Sequence, residues 1–199
     1  MSILKSLFDF VISVIGLIIL SPVLMILVIL MKLLMPGPIF YVQNRIGREG
    51  REFGIWKFRT MVPKQLASDD SFEAGNKSLI TPFGKFLRRY KLDELPQLIN
   101  VLKGEMSIVG PRPEVKKWTE VYPEKWAIVL SVKPGITDNA SIEYRNEEEL
   151  LAESQYPEKI YHDLILPRKL DLYIDYVNNQ TFAGDILIIL KTIHTVLFK

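Results

Sequence analysis

Residues 7 to 31 read LFDFVISVIGLIILSPVLMILVILM, 25 residues with one charge, Asp9. No other feature restricts the fold of this chain as tightly. A straight crossing of a bilayer needs roughly 20 apolar residues, so the run is long enough to cross. A signal peptide fits poorly, because the run is too long and no small-residue cleavage site follows it. Ser21-Pro22 near the middle complicates a simple crossing. Proline lacks an amide donor and clashes with the carbonyl four residues back, which bends or breaks a helix. Lysine stands on both flanks, Lys5 before and Lys32 after. The positive-inside tendency then favours neither orientation and is consistent with both ends being cytoplasmic. Two readings stay open on these grounds. One is a helix that enters one leaflet, turns at Ser21-Pro22 and returns. The other is a kinked helix that crosses, since bilayer helices tolerate proline.

The remainder of the chain is of ordinary polarity. Its 199 residues suit one domain. The mean hydropathy of +0.15 reflects apolar residues gathered in the first 35 positions and the last 18. A net charge of +2 argues against nucleic acid as a partner, since phosphate-backbone binding needs a marked basic surplus. The absence of cysteine excludes disulfides, thiolate metal sites and cysteine nucleophiles.

Residues 39 to 62 alternate apolar and polar positions around a glycine-bearing turn, which predicts a β-hairpin. The polar stretch PKQLASDDSFEAGNKS at 63 to 78 predicts a loop that could serve as a lid. A helix is expected from Pro82 to Tyr90. A second opens at Asp93, with Pro96 in its first turn, a stripe of Leu95, Leu98, Ile99 and Leu102, and Gly104 as its C-cap. Residues 114 to 130 read as one helix, VKPGIT as a turn, and RNEEELLAES as a helix capped by Asn146. Pro157 and Pro167 each open a further helix. The last helix, FAGDILIILKTIHTVLFK, places Phe182, Ile186, Ile189, Ile193 and Val196 on one face, for the core or for a membrane surface.

One constellation carries chemistry. Asp93-Glu94 could be an N-cap and a first-turn acid and nothing more, stabilising a helix by about 1 kcal/mol. The neighbours point further. Arg88 and Arg112 suit bidentate contact with phosphate oxygens, and Pro111 and Pro113 stiffen the backbone around Arg112. The segment KFRTM adds Lys57, Arg59 and the Thr60 hydroxyl. A helix N-terminus offers free amides to phosphate, and those amides would also keep Asp93 ionised. Carboxylates among such groups suggest magnesium held by Asp93 and Glu94 between protein and pyrophosphate, or a carboxylate that attacks phosphorus itself. His162 and His194 have no metal-ligand spacing and read as structural. The sequence holds no phosphate-binding glycine loop, no zinc-protease motif and no serine-hydrolase elbow.

Phe8-Asp9, Ser21-Pro22, KFRTM, LDELPQLINVLKGEMSIVGPRP and VKPGIT stand in an order and spacing that resemble the monotopic phosphoglycosyl transferases, the bacterial sugar transferase family that starts glycoconjugate assembly. The resemblance covers nearly the whole chain. It implies a mostly helical α/β, membrane-associated fold. Residues 1 to 33 would form a re-entrant helix bent at Ser21-Pro22. Residues 34 to 199 would form a small catalytic domain with a short β-hairpin and several helices, some at the membrane interface. It implies a bacterial cytoplasmic-membrane enzyme whose catalytic domain faces the cytoplasm. A UDP-sugar would donate a phosphosugar to polyprenol phosphate and release UMP, with magnesium required, Asp93 as covalent nucleophile and Glu94 as its dyad partner. It extends substrate or phosphate binding to Arg88, Arg112 and Arg145. A homodimer is left open. After VKPGIT many members read Gly-Trp-Ala-Gln and then Gly-Arg, where this chain reads DNASIEYR, so a loop there that touches the donor would change the sugar preference. The chain reads as the minimal catalytic form, without the multi-span extension of larger relatives. Two other classes stay open: an inactive membrane-anchored scaffold, and a soluble enzyme on an ordinary anchor.

Overall fold

The computed structural model describes residues 3 to 62 and 79 to 198. The loop expected at 63 to 78 lies outside the described residues. Helix α1 is Ile3–Leu34. Strands β1, Phe40–Ile46, and β2, Glu52–Phe58, form the expected antiparallel hairpin, with Phe40 opposite Phe58 and Ile46 opposite Glu52. Its turn uses left-handed backbone at Glu49 and Gly50. Then follow α2, Pro82–Arg89, and α3, Gln97–Leu102. Strand β3, Ser107–Val109, pairs in parallel with β4, Gly135–Thr137. Between them lie α4, Lys116–Thr119, and α5, Pro123–Val129. Helices α6, Asn139–Glu143, α7, Glu147–Ala152, α8, Pro157–Ile160, α9, Leu166–Asn178, and α10, Phe182–Phe198, complete the chain.

Local chemistry explains the boundaries. Thr81 caps α2, its hydroxyl accepting from the Gly84 amide at 2.9 Å. Pro123 splits the stretch expected as one helix at 114 to 130 into α4 and α5, because proline ends the hydrogen-bond ladder before it and pre-sets the first turn after it. Ahead of Pro167, which cannot donate an amide, the helix widens into a π turn at Tyr161–Ile165. The expected apolar stripe of α10 is not its buried face. Asp185, Ile188 and Thr195 are buried, while Phe182 and Ile193 are exposed. A helix apolar nearly all round leaves that choice to its neighbours.

Helix α1 is one continuous element through Ser21-Pro22. Pro22 has no amide to offer the Ile18 carbonyl, and the Ser21 hydroxyl donates to that same carbonyl at 2.7 Å. The Ser-Pro pair thus removes a backbone donor and supplies a side-chain one. Along one edge α1 is held by the body of the protein. Lys5 pairs with Asp185 of α10 at 2.6 Å, and Asp9 accepts the Ile108 amide of β3 at 3.1 Å. Gly16 lies against Leu98 of α3. Leu27 and Met31 are buried with Phe58 and Leu87. The opposite face, with Ile12, Ile15, Ile19, Ile26 and Leu33, is exposed. A second core joins Ile55, Leu98, Val101, Met106, Val109 and Ile188. A third packs Trp118, Trp126, Tyr161, Leu166 and Tyr173 where α4, α5 and α9 meet.

Candidate active site

The two acids stand in a 3-10 turn, Leu92–Glu94, and not in the first turn of α3. Lys91 enters it in the left-handed region, at φ 55°. The amides of Glu94, Leu95, Leu98 and Ile99 donate to the carbonyls of Lys91, Leu92, Leu95 and Pro96. This corrects the expectation of an open helix N-terminus around Asp93. Pro96 cannot continue an α-helical ladder backwards, so the chain tightens ahead of it.

Asn100 brings the hairpin to this turn. Its side chain is fully buried, accepts the Trp56 amide at 3.0 Å and donates to the Gly54 carbonyl at 2.8 Å. It thereby completes backbone hydrogen bonds on β2 and places Lys57 beside Glu94. Lys57 Nζ lies 3.0 Å from Glu94 Oε1. Arg112 grips both Glu94 oxygens, Nη1 to Oε2 at 3.2 Å and Nη2 to Oε1. Arg112 arrives from β3 through Gly110, which packs so tightly on Gly135 that a Cβ on Gly135 would lie 2.1 Å from the Gly110 amide. The Gly135 amide also donates to the Pro111 carbonyl at 2.9 Å.

The adjacent carboxylates differ in electrostatics. Burial alone would raise Glu94, but Arg112 and Lys57 outweigh it and hold its carboxyl well below the ordinary range. Burial raises Asp93, and the charge of Glu94 raises it further, with Lys57, Lys91 and Arg88 only partly opposing. This departs from the expectation that helix amides would hold Asp93 ionised. Burial also pulls the Lys57 ammonium below its usual range despite Glu94. Asp93 Oδ1 is buried and has no hydrogen-bond partner among the described residues.

The other expected site residues divide. The Arg88 Nε donates to the Thr60 hydroxyl at 2.9 Å, and Arg88 lies close enough to Asp93 to lower its pKa. Thr60 therefore orients an arginine, while its carbonyl accepts from Thr81 at the start of α2. Arg59 is committed elsewhere. It donates to the carbonyls of Met35, Pro36, Pro38 and Met61, tying the end of α1 to β2. That buried, four-carbonyl cage makes it a structural arginine, against the expectation of phosphate contact. Arg145 follows α6, with Nη1 buried and without a hydrogen-bond partner among the described residues. The divergent loop opens with Asp138, which caps α6 through the Ser141 amide at 2.9 Å.

The magnesium expectation also changes in detail. Among the described residues no group of three or more acids and histidines converges. Both Glu94 oxygens are engaged by cations, whereas Asp93 Oδ1 is uncommitted among the described residues. Magnesium commonly takes one or two carboxylates, with phosphates and waters completing its shell. The residues present would fit an ion held by Asp93, with ligands from outside the protein completing its shell, and Glu94 serving the cations instead. Sequence reasoning missed a buried cluster of Arg45, Glu114, Tyr161 and Lys169 directly after Arg112. No local pattern could join groups so far apart in the chain.

Comparison with known proteins places the geometry. A model of the bacterial sugar transferase family matches residues 1–199. The chain is 33% identical over 192 residues to the UDP-N-acetylgalactosamine-undecaprenyl-phosphate N-acetylgalactosaminephosphotransferase of Aeromonas hydrophila, covering 95% of this chain and 42% of the relative. It is 38% identical over 209 residues to the undecaprenyl-phosphate galactose phosphotransferase of Salmonella typhimurium, covering 98% of this chain and 40% of the relative. An uncharacterised sugar transferase of Bacillus subtilis, EpsL, is 35% identical over 195 residues, covering 98% of this chain and 88% of the relative. The chain thus spans about two fifths of the length of the first two relatives.

Proposed function

The chain belongs to the bacterial sugar transferase family, and on that premise we propose that it transfers a phosphosugar from a UDP-sugar to polyprenol phosphate, with Asp93 as covalent nucleophile. The observation that carries this reading is the contrast within the acid pair. Glu94 is saturated by Arg112 and Lys57, while the buried Asp93 keeps an oxygen with no hydrogen-bond partner among the described residues. A carboxylate oxygen that no hydrogen-bond donor engages among the described residues is available to attack.

In the first step an Asp93 oxygen bonds to the β-phosphorus of the donor. The bond from that phosphorus to the bridging oxygen breaks, and its electron pair leaves with UMP. In the second step an oxygen of polyprenol phosphate bonds to the same phosphorus, and the aspartyl oxygen leaves as carboxylate. Two displacements avoid bringing two phosphate anions together in one encounter. Arg112 and Lys57 sit where donor charge would arrive, so their pairing with Glu94 keeps them desolvated and aimed before it does. Magnesium, when bound at Asp93 with the donor phosphates, would neutralise pyrophosphate charge and assist departure of UMP.

The membrane side of the proposal rests on α1. Its exposed surface is predominantly apolar, interrupted by Ser6, Ser21 and Lys32, and its inner edge meets the same body from Lys5 to Met31. A helix held at both ends by one body cannot leave its far end across the bilayer. We therefore place both ends on the cytoplasmic face of the bacterial inner membrane, with α1 embedded in one leaflet. Enzyme mixed with labelled UDP-sugar, without acceptor, should release UMP and carry a phosphosugar mass on the peptide containing Asp93. Kinetics should be ping-pong, and EDTA should stop turnover. UMP release only in the presence of acceptor, with no adduct trapped, would replace the covalent route by direct transfer.

A further inference from the structure

We propose that Glu114 is a positioning residue for this transfer, anchoring the segment that carries Arg112 so that the guanidinium stays on Glu94. The inference rests on the transfer reading above and adds a residue to it. Pro111 and Pro113 limit the backbone angles around Arg112 but do not decide where the segment sits. On one side β4 holds it through the Gly135 amide. On the other side Glu114 holds it by four contacts. Its carbonyl accepts the Ile46 amide at 2.9 Å. Its carboxylate accepts from Arg45 Nη1 at 3.1 Å, from the Tyr161 hydroxyl at 2.6 Å and from Lys169 Nζ at 3.4 Å. Arg45 Nη1 also reaches the Pro113 carbonyl at 3.3 Å.

The cluster is buried at its centre, with Arg45 and Glu147 partly exposed at its edge, and is balanced in charge. Glu114 is 6% exposed, Lys169 3% and Tyr161 5%. Lys169 also donates to Glu147 Oε2 at 3.1 Å and to the Tyr161 oxygen at 3.2 Å. Two acids thus face two bases, joining β1, α7 and α9 at one point. Buried ion pairs can often be replaced by apolar groups without loss of stability, so stability alone does not account for four charges here. A fixed location for Arg112, two residues earlier, does. Both carboxylate oxygens of Glu114 receive donors, so an amide there would turn an N–H towards a donor and displace the segment. A shift of about 1 Å at a catalytic group can lower the rate by roughly 100-fold.

The test uses the full chain in bilayer nanodiscs with two readouts. Arginine-specific dicarbonyl labelling, mapped by mass spectrometry, reports whether Arg112 is still shielded by Glu94 and needs no turnover. Glu114→Gln should label faster at Arg112 than the wild type, with labelling at the exposed Arg168 unchanged. UMP-release kinetics then compare wild type, Glu114→Gln, Arg112→Lys and the double variant. Glu114→Gln should lower kcat/KM by roughly 10- to 100-fold, with the same split between kcat and KM as Arg112→Lys. In the Arg112→Lys background it should cost no more than about twofold. Unchanged Arg112 labelling overturns the proposal, and so do losses that simply multiply. If Glu114→Gln does not fold, Tyr161→Phe removes one donor, keeps every charge and enters the same two measurements. A wild type that releases no UMP from any UDP-sugar counts against the transfer reading, and the labelling still decides the role of Glu114.

Discussion

Asp93 and Glu94 are neighbours in sequence and are buried to the same degree, yet the fold treats them oppositely. Glu94 is lowered by its cations, so its ionised form supports the fold. That contribution is present above the unfolded carboxylate pKa and is lost as pH falls through the lower folded value. Asp93 is raised by burial and by Glu94, so its ionisation opposes the fold once pH rises above the unfolded value. Asp93→Asn should therefore abolish turnover while leaving the melting temperature equal or higher. Glu94→Gln should lose about 3–5 kcal/mol, because it strands Lys57 and Arg112 without their buried counter-charge. Thermal unfolding of the two variants checks this, and a destabilised Asp93→Asn would refute the account. The pH profile gives a second check. A nucleophile must be ionised, so donor-dependent kcat/KM should fall on the acid side above the ordinary aspartate range. The gathering of basic groups around the acid pair was legible because arginines crowd it in sequence. Its division of labour was not, because Lys57 and Arg112 reach Glu94 from 37 and 18 residues away.

At the scale of elements, α1 carries the clearest consequence. Ser21 repairs what Pro22 removes, so the two residues should be coupled. Ser21→Ala should weaken the helix in the native chain, by leaving the Ile18 carbonyl without a donor in an apolar setting. In a Pro22→Ala background the new amide at position 22 serves that carbonyl, and Ser21→Ala should then be nearly neutral. Equal effects in both backgrounds, read by thermal unfolding in nanodiscs, would separate the pair. Cysteines placed near residues 3 and 45 should label from one side of the membrane. Labelling from opposite sides would mean a crossing helix, and Pro22→Leu should move part of the population towards it. Most element boundaries were readable because proline, glycine and capping residues act locally. The exceptions share a cause. Pro123 was passed over inside an amphipathic run, and α10 is apolar on too many sides for periodicity to choose its inner face.

The whole molecule is not a soluble domain with a detachable anchor. Leu27 and Met31 of α1 are buried, and Leu17, Leu20, Leu24 and Val28 pack against the body. Each fully buried leucine or methionine is worth about 1.5–3 kcal/mol, against a total stability of about 5–15 kcal/mol for a typical domain. Deleting residues 1 to 33 should therefore leave a chain that does not fold cooperatively, measured by near-UV circular dichroism and dye binding. A folded truncation active on a water-soluble acceptor would restore the detachable anchor. The sequence by itself determined the membrane segment, the hairpin, the order of most helices and the acid pair among basic groups. Those follow from hydrophobic length, period and turn chemistry, which act over a few residues. Tertiary structure alone decided that α1 lies along the body, that Arg59 is a strut, that Glu94 serves cations while Asp93 Oδ1 has no hydrogen-bond partner among the described residues, and that Glu114 stands at the centre of a charge cluster. These depend on which distant side chains share a desolvated space. There a charge needs a partner and a hydrogen-bond donor needs an acceptor, wherever in the chain it comes from.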